Sequence, residues 1–528
     1  MRELYSAASL RAAEDISLMK KNMRQYLGSH EIDGSGEPAS YVRNVTYELI
    51  EGEVDAEVPY PKADAKGEGD GRLMKAMTIE RLCRVIRGEL PFEELNERDE
   101  RYTYIYGASV WYVEWDSTIP SGGGVRVHCL EPDTFIGQPG VVEVEDMEYC
   151  FLRFTTTRGE LIRRYGLTKE EAARAEVEFE YGSFSIDEDT VTLIIAFYRD
   201  ADGEIGRLIF SGEVLISDMP RLYKRRIEAV GEGVEGGYRE IDEETVITES
   251  GELTLPYYTP SCYPIVIRRN TATKDSVYGL SDCELIRDQQ QAINKLESRI
   301  LKKLLRAGVY PVMPEDASVS AGNSVFGEII RMRPGESTDS YGTIDTTPDV
   351  SEDILAADRL YEQARRILGI TDALAGTETA VSESGYAREL KLRRASTRLE
   401  TKRRIKYHTY SRIYELIFKH YLAFSDGKIT VGEGGECFER RMFIECDNGV
   451  YRYSDDYIFS VDLDRTDEYG RAKIWERNLE ELKSGSLGAM DKASTLRRYW
   501  MLQEKAGYPF AKENVGYFDG LIEKENQE

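Results

Sequence analysis

Residues 281–368 constrain the fold of this chain more than any other stretch. Two amphipathic helical patterns flank a segment broken by proline. The first covers 281–306. It opens on Ser281-Asp282-Cys283-Glu284, a spacing that fits a capping box. Leu285, Gln289, Ile293, Leu296, Ile300 and Leu304 then recur at three- and four-residue intervals, the period of one helix face. At 1.5 Å per residue this helix is roughly 39 Å long. Pro311, Pro314, Pro334 and Pro348 punctuate 308–350, which leaves room for short strands near Val309–Met313 and Val325–Met332. The second helix, 351–368, places Ile354, Ala357, Leu360, Ala364 and Ile367 on one face.

Residues 369–385 are a small-residue stretch bounded by Gly369 and Gly385. Beyond it the pattern predicts a helix over 386–424, roughly 58 Å long. Its first half is basic, with Arg388, Lys391, Arg393, Arg394, Arg398, Lys402, Arg403, Arg404 and Lys406. Contact with phosphates would use such a face, but in an acidic chain the expected partners are acids on a neighbouring copy. The second half is apolar, with Ile413, Tyr414, Leu416, Ile417 and Tyr421.

The N-terminal half reads as mixed α+β. Leu10, Ala13, Ile16, Met19, Met23 and Leu27 predict a helix over 5–28, ended by Gly28. Residues 29–72 are rich in Gly, Pro and acids, so loops are expected there, before a helix at 73–90. From 101 to 267 strands dominate. Tyr102–Trp115 is dense in aromatic and β-branched residues. The turn Ser121-Gly122-Gly123-Gly124 returns to a strand at Val125–Leu130. Further strands fit 148–156, 190–199, 206–217 and 262–268, with a helix at about 168–178. Towards the C-terminus strands fit 427–431, 440–446 and 457–463, and short helices fill 468–528.

With 528 residues the chain is too long for one ordinary core. Its net charge of −27 argues against tight electrostatic grip on nucleic acid, which needs an excess of Lys and Arg. It is compatible with a surface past which DNA slides without sticking. No apolar run approaches a membrane span or signal peptide. The cysteines (Cys83, Cys129, Cys150, Cys262, Cys283, Cys437 and Cys446) are odd in number and form no C-x-x-C pair, which fits reduced thiols in a cytosolic environment.

Little points to catalysis. His30, His128, His408 and His420 sit in no metalloprotease pattern, and neither a phosphate-binding G-x-x-x-x-G-K-[ST] loop nor a G-x-S-x-G elbow occurs. Asp462, Asp464 and Asp467 could offer oxygen ligands to a divalent cation, but the spacing lacks the Gly and terminal Glu of a calcium loop. Alternate acids on the solvent face of a strand end are expected instead. The expectation is a chain that is not an enzyme, without cofactor, catalytic or metal residues.

The order of elements resembles the portal family of tailed bacteriophages, in the branch common among long-tailed phages. Tyr106-Gly107-Ala-Ser-Val-Trp-Tyr-Val-Glu-Trp-Asp116 and Leu130-Glu-Pro132-Asp-Thr-Phe135 are similar to the family's strand pair before its stem. Pro264-Ile-Val266, Tyr278-Gly279-Leu-Ser281-Asp282 and Asp288-Gln-Gln-Gln-Ala-Ile-Asn294 resemble the stem entry. Tyr457-Ile-Phe-Ser-Val-Asp-Leu-Asp464, Asp467-Glu468 and Ser494-Thr-Leu496 resemble the C-terminal section. Residues 41–72 match poorly.

The resemblance implies a portal fold: a wing over 1–280, stem helices at 281–307 and 351–368, a clip at 308–350, a tunnel loop at 369–385, a long wing helix and wing strands over 386–466, and a helical crown over 467–528. It implies a ring of twelve copies at one capsid vertex, assembled in the host bacterial cytoplasm and carried in the virion. Its partners would be itself, major capsid and scaffolding proteins, the terminase large subunit, a head-completion or neck adaptor, and double-stranded DNA held weakly and non-specifically. The tunnel-loop candidates are Asp372, Thr377, Glu378, Thr379, Ser382, Glu383 and Ser384. The candidates for the stem channel or a subunit contact are Lys295, Arg299, Lys302, Lys303 and Arg306. A capsid scaffolding protein and a metal-dependent nuclease using Asp462–Asp467 are the alternatives.

Overall fold

The computed structural model describes residues 1–29, 41–66, 70–120, 122–177, 189–223, 226–228, 238–240, 243–248, 251–274, 276–305, 309–312, 342–345, 348–370, 397–425, 427–432, 436–447, 450–462, 468–489, 492–505, 508 and 511–525. The fold is mixed helix and sheet. It divides into two compact units, one of Met1–Met19, Val54–Ser281 and Thr397–Glu528, the other of Lys20–Glu53 and Asp282–Ser396.

The first unit is built around two antiparallel sheets. Helix α1 (Arg2–Tyr26) begins in this unit and ends in the other. Strand β1 (Pro61–Ala65), helix α3 (Asp70–Glu89) and helix α4 (Phe92–Tyr106) precede the hairpin of β2 (Ala108–Asp116) and β3 (Gly124–Leu130). Strand β13 (Ile265–Arg269) joins this hairpin in the order β13-β2-β3. A helix hydrophobic on nearly every side must be buried, and the second half of α10 (Thr397–Phe424) is the centre of this core. Tyr410, Ile413, Tyr414, Ile417 and Phe418 are fully covered, against Ile79, Leu82, Phe92, Trp111 and Phe438 among others.

The second sheet has the order β4-β5-β6-β7-β8, from β4 (Phe135–Gly137), β5 (Tyr149–Thr157), β6 (Thr190–Arg199), β7 (Ile205–Ser211) and β8 (Val214–Met219). Tyr5 and Ala8 of α1 pack on Phe151, Ile194 and Phe210 of this sheet. Short helices α5 (Arg158–Tyr165) and α6 (Lys169–Ala173) succeed β5. Two hairpins come next, β9 (Arg226–Glu228) with β10 (Tyr238–Glu240) and β11 (Glu243–Thr248) with β12 (Gly251–Pro256). After α10 lie β16 (Ile429–Thr430) paired with β17 (Cys437–Phe438), the hairpin of β18 (Ile444–Asp447) and β19 (Val450–Tyr453), and β20 (Tyr457–Val461), which pairs with β1. Helices α11 (Glu468–Lys483), α12 (Ala493–Lys505) and α13 (Ala511–Glu525) close the chain.

The second unit comprises the end of α1, α2 (Val45–Glu51), α7 (Asp282–Leu285), α8 (Arg287–Leu305), the strand pair β14 (Val309–Val312) and β15 (Gly342–Asp345), and α9 (Ser351–Leu368). Its core is Val45, Leu49, Ile286, Ile293, Ala364 and Leu368.

Several expectations are corrected. Tyr102–Tyr106 is helical, the last turn of α4, because Phe92, Leu95, Asp99 and Thr103 bury one helix face and this packing outweighs strand propensity. Gly107, at φ 93, ends the helix and turns the chain into β2. Segment 206–217 is two strands with a turn at Gly212, φ 56. The helix expected at 168–178 is the shorter α6, with its capping box at Thr168 and Glu171. The loop expected over 29–72 holds α2 and β1. In α1 the buried residues are Tyr5, Ala8, Ile16, Met19, Asn22, Gln25 and Tyr26, whereas Leu10 is 80% exposed; Leu27, 68% exposed, lies just past the helix. Segment 440–446 begins as a 3₁₀ turn, Arg440–Phe443. The strand near 309 pairs with 342–345, and the one expected at 325–332 lies outside the described residues.

Candidate functional site

The helices over 282–305 and 351–368 form an antiparallel pair. Near the end of α8, Arg299 and Lys303 meet Asp353 in the first turn of α9, while Ile286 and Ile293 share a core with Leu368 at its far end. The sequence favours α8 locally. It contains no Gly or Pro, carries Asp288 in its first turn and Lys302 and Lys303 in its last, and so complements the helix dipole at both ends. The expected single helix is divided at Ile286 into α7 and α8. Gly369, at φ 87, stops α9 as a left-handed cap, its N–H donating to the Arg365 carbonyl at 2.9 Å.

The face that α8 buries is rotated from the expected stripe. Ile286, Gln290, Ile293, Asn294, Ser298 and Ile300 are buried, whereas Leu285 is 36% exposed and Leu304 50%. The cause is polar. Gln290 is fully satisfied: its Oε1 accepts from the Thr46 N–H at 3.0 Å and the Thr46 hydroxyl at 3.1 Å. Its Nε2 donates to the Arg43 carbonyl at 2.8 Å and to Asn294 Oδ1 at 2.9 Å. A buried amide with all its partners fixes register, because any rotation of the helix would strand them. Gln25 continues the seam, donating to Thr46 Oγ1 and to the Cys283 carbonyl, each at 3.0 Å. Asn22 donates to Glu284 at 2.9 Å, and Ser281 Oγ lies 2.7 Å from the Ile105 carbonyl, so both members of the expected capping box hold other partners. Sequence reading missed residues 41–51 as the support of this pair. The available signal was Asn44, whose side chain caps α2 by accepting the Tyr47 N–H at 3.1 Å.

Of the candidate stem residues, the structure brings Arg299 and Lys303 together on Asp353. This carboxylate is held below its ordinary pKa by hydrogen bonds from Arg299 and then Lys303. Lys295 and Lys302 lie on the exposed side of α8. Arg306 and all seven tunnel-loop candidates, Asp372, Thr377, Glu378, Thr379, Ser382, Glu383 and Ser384, lie outside the described residues. So do Asp464 and Asp467. Among the described residues no cluster of His, Cys, Asp and Glu could hold a metal ion, and no helix is long and apolar enough to cross a membrane. None of the seven cysteines is in a disulfide.

The first unit holds the strongest electrostatics. Two buried acids, Asp99 and Glu100 of α4, face two buried bases, Arg268 of β13 and Lys406 of α10. Arg268 bonds both acids, Glu100 at 2.6 Å, and Lys406 lies 3.3 Å from Glu100. Burial alone would raise the Glu100 pKa; Arg268 and then Lys406 outweigh it, and the carboxyl sits at about 2. Asp99 also accepts from Trp111 Nε1 at 2.8 Å and from Ser109. Arg403 of α10 lies 3.6 Å from Asp55, and Lys402 lies 4.5 Å above the Tyr104 ring. The basic half of this helix was expected to meet acids of another copy. Lys406, buried against Glu100, meets its partners in its own chain, and Lys402 and Arg403 have contacts there too, while Arg388, Lys391, Arg393 and Arg394 lie outside the described residues.

No protein-family model matches this chain, and no curated protein does.

Proposed function

We propose that this chain is one subunit of a ring-shaped portal that conducts double-stranded DNA at one vertex of a tailed-phage capsid. The observation that carries the reading is the element order of the second unit: a long helix, a strand pair, and a second long helix antiparallel to the first. That order fits a stem of α7–α8 and α9 joined through a clip at 308–350. Heterologous contacts between copies close into a ring when the rotation per copy divides a full turn. The β1–β20 pairing, which joins the N-terminal region to 457–461, suits a wing assembled from both halves of the chain. The three helices after 467 suit a crown.

In this reading the wall must not grip its cargo. The charge of −27 per copy suits that, since a field of the same sign as DNA keeps the duplex from sticking. The chain has a conducting and docking role without catalysis. It engages the terminase during packaging and the neck proteins afterwards, with twelve copies by resemblance. Negative-stain imaging of the purified chain tests the proposal: particles with a central channel are expected, and a monomer at micromolar concentration would overturn it.

A further inference from the structure

The chain passes between its two units at Met19–Lys20, Glu53–Val54, Ser281–Asp282 and Ser396–Thr397. The first passage lies inside α1. On the side of the first unit, the other three passages lead to segments that converge on one face of α4, carried by Asn96, Asp99, Glu100 and Tyr104, and on Gly107 just after it.

Just after the second passage, Asp55 is bonded at both of its backbone polar groups. Its N–H donates to Glu100 at 3.1 Å, and its carbonyl accepts from Asn96 at 2.8 Å and Lys406 at 3.0 Å. Before the third passage, Arg268 binds Asp99 and Glu100, and the Asn270 N–H donates to the Gly107 carbonyl at 2.9 Å. Ser281 Oγ reaches the Tyr104 and Ile105 carbonyls. There the backbones of residues 107 and 279 approach so closely that a Cβ on Gly107 would lie 2.2 Å from the Gly279 carbonyl oxygen. After the fourth passage, Lys406 lies 3.3 Å from Glu100, and the Tyr410 hydroxyl donates to Asn96 at 3.1 Å. Glu100 touches all three segments, and its remaining contact, the Tyr104 hydroxyl at 2.9 Å, holds it in place.

We infer that this face of α4 is a joint that locks three of the four chain passages to the first unit through one buried ionic cluster. The cluster takes in the β13-β2-β3 sheet through Arg268 and through the Asp99 bonds to Ser109 and Trp111, whereas β5 and β6 belong to the other sheet.

Site-resolved hydrogen exchange on the full chain tests it. In Glu100→Gln the geometry is kept and the charge removed. Exchange should rise together, by at least about tenfold as expected for loss of charge-assisted bonds, in 54–58, 268–281 and 400–410. The β5–β6 pair should stay protected. A rise confined to one of these segments, or one that spreads equally through β5–β6, would overturn the joint. If Glu100→Gln does not fold, Asn96→Ala decides. It breaks the bonds to Asp55 and Tyr410 alone, so 54–58 and 400–410 should loosen together while 268–281 does not. Loosening of neither, or of all three equally, contradicts the proposal.

Discussion

At the scale of single residues, burial combined with partner choice sets the acid response. Glu100 is held at about 2, below its ordinary 4.5, so the folded state binds its proton less readily than the unfolded chain. Its contribution is fully present above about pH 4.5 and is lost as pH falls towards 2. His420 behaves in the same sense. It is buried on α10, with Nδ1 2.8 Å from the Leu416 carbonyl, and burial lowers its pKa from 6.5 to about 4. The neutral ring is the form that the fold holds, so stability falls between about pH 6.5 and pH 4, by roughly 3 kcal/mol. His420→Gln should flatten the pH dependence of the urea midpoint across that window while leaving the lower, carboxylate-driven decline; an unchanged slope would refute this assignment. Arg268→Ala strands two buried carboxylates and should cost about 3–5 kcal/mol, read from the unfolding midpoint. A loss within about 0.5 kcal/mol would show that water or another cation reaches the site.

At the scale of elements, two glycines and one carboxylate decide how segments end. Gly107 combines a φ of 93 with a neighbour that cannot give way, the backbone oxygen of Gly279. Gly107→Ala should therefore destabilise by on the order of 3 kcal/mol, from left-handed strain plus the clash. Calorimetry would show this as a lowered transition; a neutral result would mean that 278–280 shifts freely. Asp353 ties the start of α9 to the end of α8. Asp353→Ala should increase amide exchange in 299–305 and 351–356 and leave β5–β6 unchanged. Periodicity located both helices, because it is a signal carried by neighbouring residues. It misplaced part of the buried face of α8, though Ala357, Leu360, Ala364 and Ile367 of α9 do turn to the core, because the amide seam of Gln25, Thr46, Gln290 and Asn294 draws polar side chains of α8 inward, and no hydrophobic pattern registers a satisfied glutamine.

At the scale of the whole molecule, the portal proposal makes its own demands. Deleting 372–383 should leave ring assembly intact and impair DNA packaging or retention; loss of rings would make this segment structural. The assembled protein should bind duplex DNA weakly at physiological salt, and nanomolar affinity in a filter or anisotropy assay would contradict a wall that repels its cargo. By itself the sequence determined the mixed α+β class, the β2–β3 hairpin with its glycine turn, and the helix–strand–helix order of 282–368, since all are written in local spacing, capping and turn residues. Only the tertiary structure decided that 20–53 belongs with those helices, that Tyr102–Tyr106 is helical, and that Lys406 is a buried base and not an exposed one. Each of these depends on partners far along the chain. A charge in a sequence is the same letter whether it meets water or, as Lys406 does, a buried carboxylate brought to it from α4.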